Sequence, residues 1–200
     1  GPNQYNAVAS TFDGSADYLS KSAITGMTDT NSITYSANIN TGTGETAFYI
    51  GMTYGTAYFE VEFLNNRIWV ATENSATRYE LLVPNVNRTM NLSFSIKSND
   101  LSAARFMIDG VAVTHTGGNN VFASEPTFEL TRANQNTVGG SHNNGSMAGD
   151  IGEVYFDTSY IDLATENPFY DVETNKPKYL GANGELPTGS SPLIYLPLRA

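Results

Sequence analysis

The chain has 200 residues, with 10 basic against 20 acidic side chains, a formal net charge of -10 and no cysteine. That balance excludes the basic stripe with which a duplex-binding protein displaces phosphate counterions, and an anionic membrane surface would repel it. Disulfides and thiolate metal sites are excluded, and no run approaches the ~18 apolar residues a bilayer-spanning helix needs.

The length suits one all-β domain with a sizeable core. Tyr (12) and Phe (10) are plentiful, and Gly (18) and Asn mark turns along the whole chain, the composition of many short strands. Gly1-Pro2 reads as the scar of a cleaved expression tag. Residues 3–200 read as a single domain excised from a longer chain.

In chain order, Asn31 to Thr41 sets Ile33, Tyr35, Ala37 and Ile39 against Ser32, Thr34, Ser36 and Asn38. Ala47 to Tyr54 groups Phe48, Ile50 and Met52. Tyr58 to Leu64 groups Phe59, Val61 and Phe63 against Tyr58, Glu60 and Glu62. Asn65-Asn66 is a hairpin turn, since Asn tolerates positive φ. Arg67 to Thr72 then sets Ile68 and Val70 against Arg67, Trp69 and Ala71. Arg78–Val83, Asn91–Lys97, Arg105–Asp109, Val111–Thr114 and Thr127–Arg132 continue the pattern, with Asp109-Gly110 as a compact turn. Period-2 alternation predicts one buried face per strand. Phe59, Val61, Phe63, Ile68, Val70, Leu92, Phe94, Ile96, Phe106, Ile108, Val154 and Phe156 are therefore expected in the core. Gly117 to Asn120 and Ser141 to Gly149 read as polar loops. Asp162 can start a short helix over Leu163 to Val172, or the stretch is an extended loop, and Lys176-Pro177 ends it.

The order of phrases resembles a known family. Phe12-Asp13-Gly14-Ser15-Ala16-Asp17-Tyr18-Leu19 resembles the opening of concanavalin A-like and laminin-G-like domains. Phe106-Met107-Ile108-Asp109-Gly110-Val111 resembles their hairpin. Val138-Gly139-Gly140, followed by Gly149-Asp150-Ile151-Gly152-Glu153-Val154, resembles their close. Residues 162–198, with Lys176-Pro177, Leu180-Gly181 and Pro187-Thr188-Gly189, are similar to the closing segment of jelly-roll domains in phage and prophage virion proteins. The resemblance implies an antiparallel β-sandwich, a jelly roll, whose terminal strands near Val8–Phe12 and Leu193–Leu198 lie side by side. It also implies a virion location, in a tail, fibre or decoration protein made in the host cytoplasm. The fold itself hosts lectins, hydrolases, lyases and structural modules, so function rests on the site.

The residues bear on four chemistries. Paired acids for glycoside hydrolysis are approached by Glu153 with Asp157, and by Glu60 with Glu62, whose Cβ atoms lie ~7 Å apart along one strand. Arg78-Tyr79-Glu80-Leu81 matches the "R-x-E-L" strand of alginate lyases of this fold, but neither His115 nor His142 stands in the phrase those enzymes need. Calcium needs only oxygen ligands, and Asp13, Asp17, Asp29 and Asn31 are its candidates, with turn formation as their alternative role. Sugar binding has the best local argument. Trp69, the single tryptophan, alternates away from Ile68 and Val70, on a face with Arg67 and, across the hairpin, Tyr58, Glu60 and Glu62. The competing reading is a cross-strand cluster in which Arg78 or a loop covers the indole. His142, Asn143 and Asn144 form a second candidate contact loop, and the sequons at Asn87, Asn91 and Asn144 read as chance.

The expected function is a non-enzymatic virion adhesion domain that binds a cell-surface carbohydrate. A purely architectural virion domain and a glycan-active hydrolase or lyase are the alternatives. Its partners would be a glycan or other virion proteins, not nucleic acid. A homo-oligomer, a trimer in the full-length protein, stands beside a monomer.

Overall fold

The computed structural model describes residues 10–15, 18–41, 45–52, 58–64, 66–72, 77–83, 88–98, 100–117, 127–132, 135–140 and 147–197. The strands run β1 (Ser10–Asp13), β2 (Leu19–Lys21), β3 (Ser32–Thr41), β4 (Glu45–Met52), β5 (Phe59–Leu64) and β6 (Arg67–Thr72). They continue as β7 (Thr77–Leu82), β8 (Thr89–Lys97), β9 (Asp100–Ile108), β10 (Val111–Ala112), β11 (His115–Gly117) and β12 (Gln135–Val138). Then come β13 (Ala148–Asp157), β14 (Tyr170–Asp171), β15 (Lys176–Pro177) and β16 (Ile194–Leu196). Sheet A has the order β1-β13-β3-β8-β9-β10, with β16 also on β13, and sheet B the order β11-β7-β6-β5-β4-β12-β2. β14 and β15 form a small ribbon of their own, and the paired strands are antiparallel.

The alternation seen in the sequence decides the interior. All of the residues expected in the core from their shared phase are buried. Their rings mesh between the sheets: Tyr35 stacks on Phe94 at 5.0 Å, Phe48 meets Phe156 at 5.3 Å, and Phe59 touches Phe94 at 6.2 Å. Offset and tilted ring pairs at these separations add to the gain from area burial alone. Asp109 and Gly110 both take positive φ, 52° and 72°, which is the twist-matching two-residue turn the Asp-Gly pair predicts.

Sheet A departs from the expectation of one buried face per strand. Thr34, Ser36 and Asn38 on β3 and Asn91, Ser93 and Ser95 on β8 are buried too, although they point away from the core. Residues 158–197 account for it. Tyr155, Ser36, Ser93 and Met107 form one cross-strand row on the outer face. The two serines are small between two large ends, and Leu163, Phe169 and Leu180 pack as a second apolar cluster with Tyr155 and Met107. Polar ties fix the segment at its start: Thr34 Oγ1 donates to the Ser159 carbonyl at 2.6 Å, Tyr160 OH to the Ala103 carbonyl at 2.7 Å, and Arg105 Nε to Asp162 at 3.0 Å. Gly110 lets the same segment approach, because a Cβ there would lie 2.6 Å from Val172 Cγ1.

Three local expectations change. The extended alternative holds over Leu163 to Val172, and no helix forms: Asp162 caps a single turn, its carboxylate accepting from Ala164 N, and Asn167-Pro168 stops it. Thr127 to Arg132 is not a strand; only Thr30 and Phe128 bridge, although Phe128 and Leu130 still fill the core. Finally, β1 and β16 are not side by side. They lie end to end along one edge of β13, Ser10 opposite Ile151 and Leu196 opposite Val154.

The Ser93 hydroxyl is buried and has no hydrogen-bond partner among the described residues. Ser93→Ala is therefore expected to leave stability unchanged or raise it by up to about 1 kcal/mol, since no bond is lost and a desolvated hydroxyl is removed. Phe169→Ala, in the same covered face, should cost about 3 kcal/mol. Urea denaturation of both variants checks the pair, and a large loss in Ser93→Ala would contradict it.

Candidate functional site

With sheet A covered, the outer face of sheet B carries the candidate residues. Register builds it in rows. Glu62 lies opposite Trp69, and Trp69 opposite Glu80. On either side along the strands, Glu60 faces Ala71, which faces Arg78, and Leu64 faces Arg67, which faces Leu82. Trp69 thus has a glutamate on each neighbouring strand, Arg67 two residues before it on its own strand and Arg78 diagonally across on β7.

The arginines use that placement. Arg67 and Arg78 both hold their guanidinium groups over the indole, at 5.0 and 4.2 Å from the ring centroid. Both also reach Glu80, Arg67 Nη1 at 3.1 Å and Arg78 Nε at 3.7 Å. Trp69 is half-buried, and its buried indole N–H has no acceptor among the described residues. Glu62 is half-buried and is given no hydrogen-bond donor among them. Burial raises the Glu62 carboxyl above the ordinary range, and the charges of Arg78 and Arg67 offset this only in part.

The remaining candidates separate. Two expected to flank Trp69 in the open do not: Tyr58 is 2% exposed within the core cluster, its hydroxyl directed at the Thr127 carbonyl, and Glu60 is 5% exposed. Alternation alone places Tyr58 outward, but it precedes β5, where the pleat no longer dictates direction. His142, Asn143, Asn144 and Asp17 lie outside the described residues. Asp13 accepts from Ser15 N in a turn, Asp29 Oδ1 accepts from Thr131 N and Oγ1, and the Asn31 carbonyl accepts from Ser98 N. These oxygens serve turns and loop latches, and no group of three acidic or histidine side chains among the described residues could hold a metal ion.

The acids weighed for hydrolysis also have structural occupations. Glu153 is buried at a β-bulge with φ 53° and accepts from Tyr195 OH, while Asp157 accepts from Leu193 N at 3.1 Å. In Arg78-Tyr79-Glu80-Leu81, Tyr79 and Leu81 are core residues and the charged pair belongs to the Trp69 cluster. Asn91, in a sequon, is buried in β8. Sequence reasoning missed Glu80 as the hub of the cluster; its signal was the phase of β7, which sets Arg78 and Glu80 on the face opposite Tyr79 and Leu81. It also missed a cavity of about 390 Å³ between the sheet edges, lined mainly by Leu19, Ile24, Phe48, Ile50, Leu193 and Leu196.

Two outcomes follow from this geometry. Because burial raises the Glu62 pKa, the ionised carboxylate weakens the fold once pH exceeds its unfolded value, and the penalty disappears in acid where both states are protonated. Glu62→Gln should raise Tm near neutral pH and lose that gain in acid; an equal gain at both ends would contradict the assignment. Chelation of calcium by EDTA should leave Tm unchanged, and a clear fall would place an ion among Asp13, Asp17, Asp29 and Asn31.

No protein-family model matches the sequence, and no curated protein matches it. Solved structures do resemble it. A candidate carbohydrate-binding protein from Bacteroides ovatus ATCC 8483 aligns over 92% of this chain and 50% of its own, at 13% identity and a TM-score of 0.62. The native heptameric SAP-like pentraxin from Limulus polyphemus covers 78% of this chain and 77% of its own, at 9% identity and a TM-score of 0.55. Domains LG4-5 of the mouse laminin α1 chain cover 78% and 45%, at 13% identity and a TM-score of 0.53. The chain spans about half the length of the Bacteroides and laminin chains it matches. At these identities the likeness is one of architecture: the fold is an all-β jelly-roll sandwich of the concanavalin A-like and laminin-G-like kind.

Proposed function

We propose that this domain is a non-enzymatic adhesion module of a virion tail, fibre or decoration protein, and that it binds a cell-surface glycan through the outer face of sheet B. One observation carries the reading. The chain's own residues 158–197 cover the outer face of sheet A, while sheet B presents a half-buried tryptophan beside Glu62, a carboxylate with no hydrogen-bond donor among the described residues. An aromatic side chain bordered by polar groups suits a sugar, whose ring has apolar C–H faces and hydroxyl edges. The Bacteroides neighbour's name, a carbohydrate-binding one, fits this reading, and the resemblance of residues 162–198 to virion proteins is what favours a virion location.

A sugar stacked on Trp69 gains on the order of 1 kcal/mol, and part of that is spent moving a guanidinium group aside. A single site is thus weak. Several copies in an assembled particle, for example a trimer, would raise the overall avidity. The architectural reading is favoured by one observation of its own: both guanidinium groups already lie on the indole, as a clamp across β6 and β7 would require.

The test is a glycan array probed with a multimerised form of the domain, beside Trp69→Ala. The expected result is binding that Trp69→Ala abolishes while Tm shifts little, because a partly exposed side chain contributes modestly to stability. If Trp69→Ala unfolds the protein and the array is blank, the clamp is structural and the adhesion reading falls. If the variant folds and binds the same glycan, the ligand sits elsewhere.

A further inference from the structure

We infer that the Trp69 face selects against acidic glycans and favours amino sugars, with the sugar ammonium or hydroxyl seated against Glu62. The inference rests on the reading of this face as a glycan site and specifies the chemistry that site accepts.

An acidic sugar needs a cation that is free to meet it. Arg67 and Arg78 are the cations of this face, and both are committed. They converge on Glu80, at 3.1 and 3.7 Å, and both lie over the indole. Glu80 has only 15% of its side chain exposed. Diverting either guanidinium group to a ligand carboxylate would take one of two partners from a largely buried anion, which is unfavourable. Both arginines also act on Glu62, so two cations are matched by two carboxylates and the face carries no excess positive charge among the described residues.

Acceptor capacity, in contrast, is unused. Glu62 lies directly across the ladder from Trp69, half-buried, with no donor among the described residues. An ionised carboxylate only accepts hydrogen bonds, so its natural complement is a donor: a hydroxyl or, better, an ammonium. Its raised pKa says the same thing, for it reports a charge that burial has deprived of solvent without full compensation from the arginines. The neighbouring indole N–H also has no acceptor among the described residues, but it is itself buried, so the group this face offers a ligand is the carboxylate.

The field agrees with the hydrogen bonds. Glu62 and Glu80 stand against the two guanidinium groups of Arg67 and Arg78, on a chain whose net charge is -10. Cross-strand side chains stand roughly 5 Å apart, so an anion placed over Trp69 would have a carboxylate on each neighbouring strand as well as the two guanidinium groups already paired there.

Three oligosaccharides of matched length separate the possibilities: a glucosamine oligomer, its N-acetylated counterpart and a galacturonic acid oligomer. Binding to the multimerised domain would be measured at low salt near neutral pH, with emission from the single tryptophan as a second readout. The expected order is glucosamine tightest, the N-acetylated oligomer weaker, and galacturonate weaker than glucosamine by at least about tenfold, a gap that added salt narrows. Glu62→Gln should collapse the ratio between glucosamine and galacturonate. Galacturonate binding as tightly as glucosamine, or a ratio unchanged in Glu62→Gln, overturns the inference while leaving glycan binding in place. If none of the three binds or perturbs the emission of Trp69, the glycan reading of the face fails and the inference falls with it.

Discussion

The fold depends on the meshing of aromatic rings between two sheets. Tyr35, Phe94 and Phe156 from sheet A meet Phe48 and Phe59 from sheet B, and these side chains are essentially without solvent exposure. Because rings of this size must interdigitate, the register of each strand is pinned: a one-residue slip would turn an aromatic row outward. β13 carries the largest share of that constraint on sheet A. It pairs with β3 along one edge and with both β1 and β16 along the other, so the two ends of the chain are fixed by the same strand.

An asymmetry between the sheets follows. A sandwich needs to bury only the inner face of each sheet, yet sheet A buries both. The outer row with Ser36 and Ser93 between Tyr155 and Met107 is a trough, and Phe169, Leu163 and Leu180 fill it. Some polar atoms there have no partner among the described residues, the Ser93 hydroxyl and Asn91 Oδ1 among them, and the apolar packing outweighs that cost. With sheet A covered by the chain itself, surface chemistry concentrates on sheet B.

On sheet B the same alternation that sends Ile68, Val70, Tyr79 and Leu81 inward sends Arg67, Trp69, Arg78 and Glu80 outward. Their mutual contacts order the face: cation–π contacts and ion pairs hold long side chains that would otherwise be mobile. It also sets the chemistry of the face. Cations are paired internally and a carboxylate is left over, so the donor-based recognition proposed for this face would rest on packing within sheet B.

The sequence by itself determined the class, the core and the direction of nearly every strand residue, because period-2 alternation is local and survives in any sandwich. It also determined the Asp109-Gly110 turn, since few residue pairs accept two successive positive φ values. The start of a turn at Asp162 was legible too, although Pro168, inside the stretch read as a short helix or extended loop, stops it well before Lys176-Pro177. Tertiary structure decided the rest. That Ser36 and Ser93 are buried depends on a segment far along the chain that no periodicity in β3 or β8 announces. That Tyr58 turns inward depends on its place before a strand begins. That Trp69 lies under two guanidinium groups, with Glu62 left over, depends on which strands stand beside β6. Alternation tells which way a side chain points; pairing partners and covering segments, brought together only on folding, decide what it meets there.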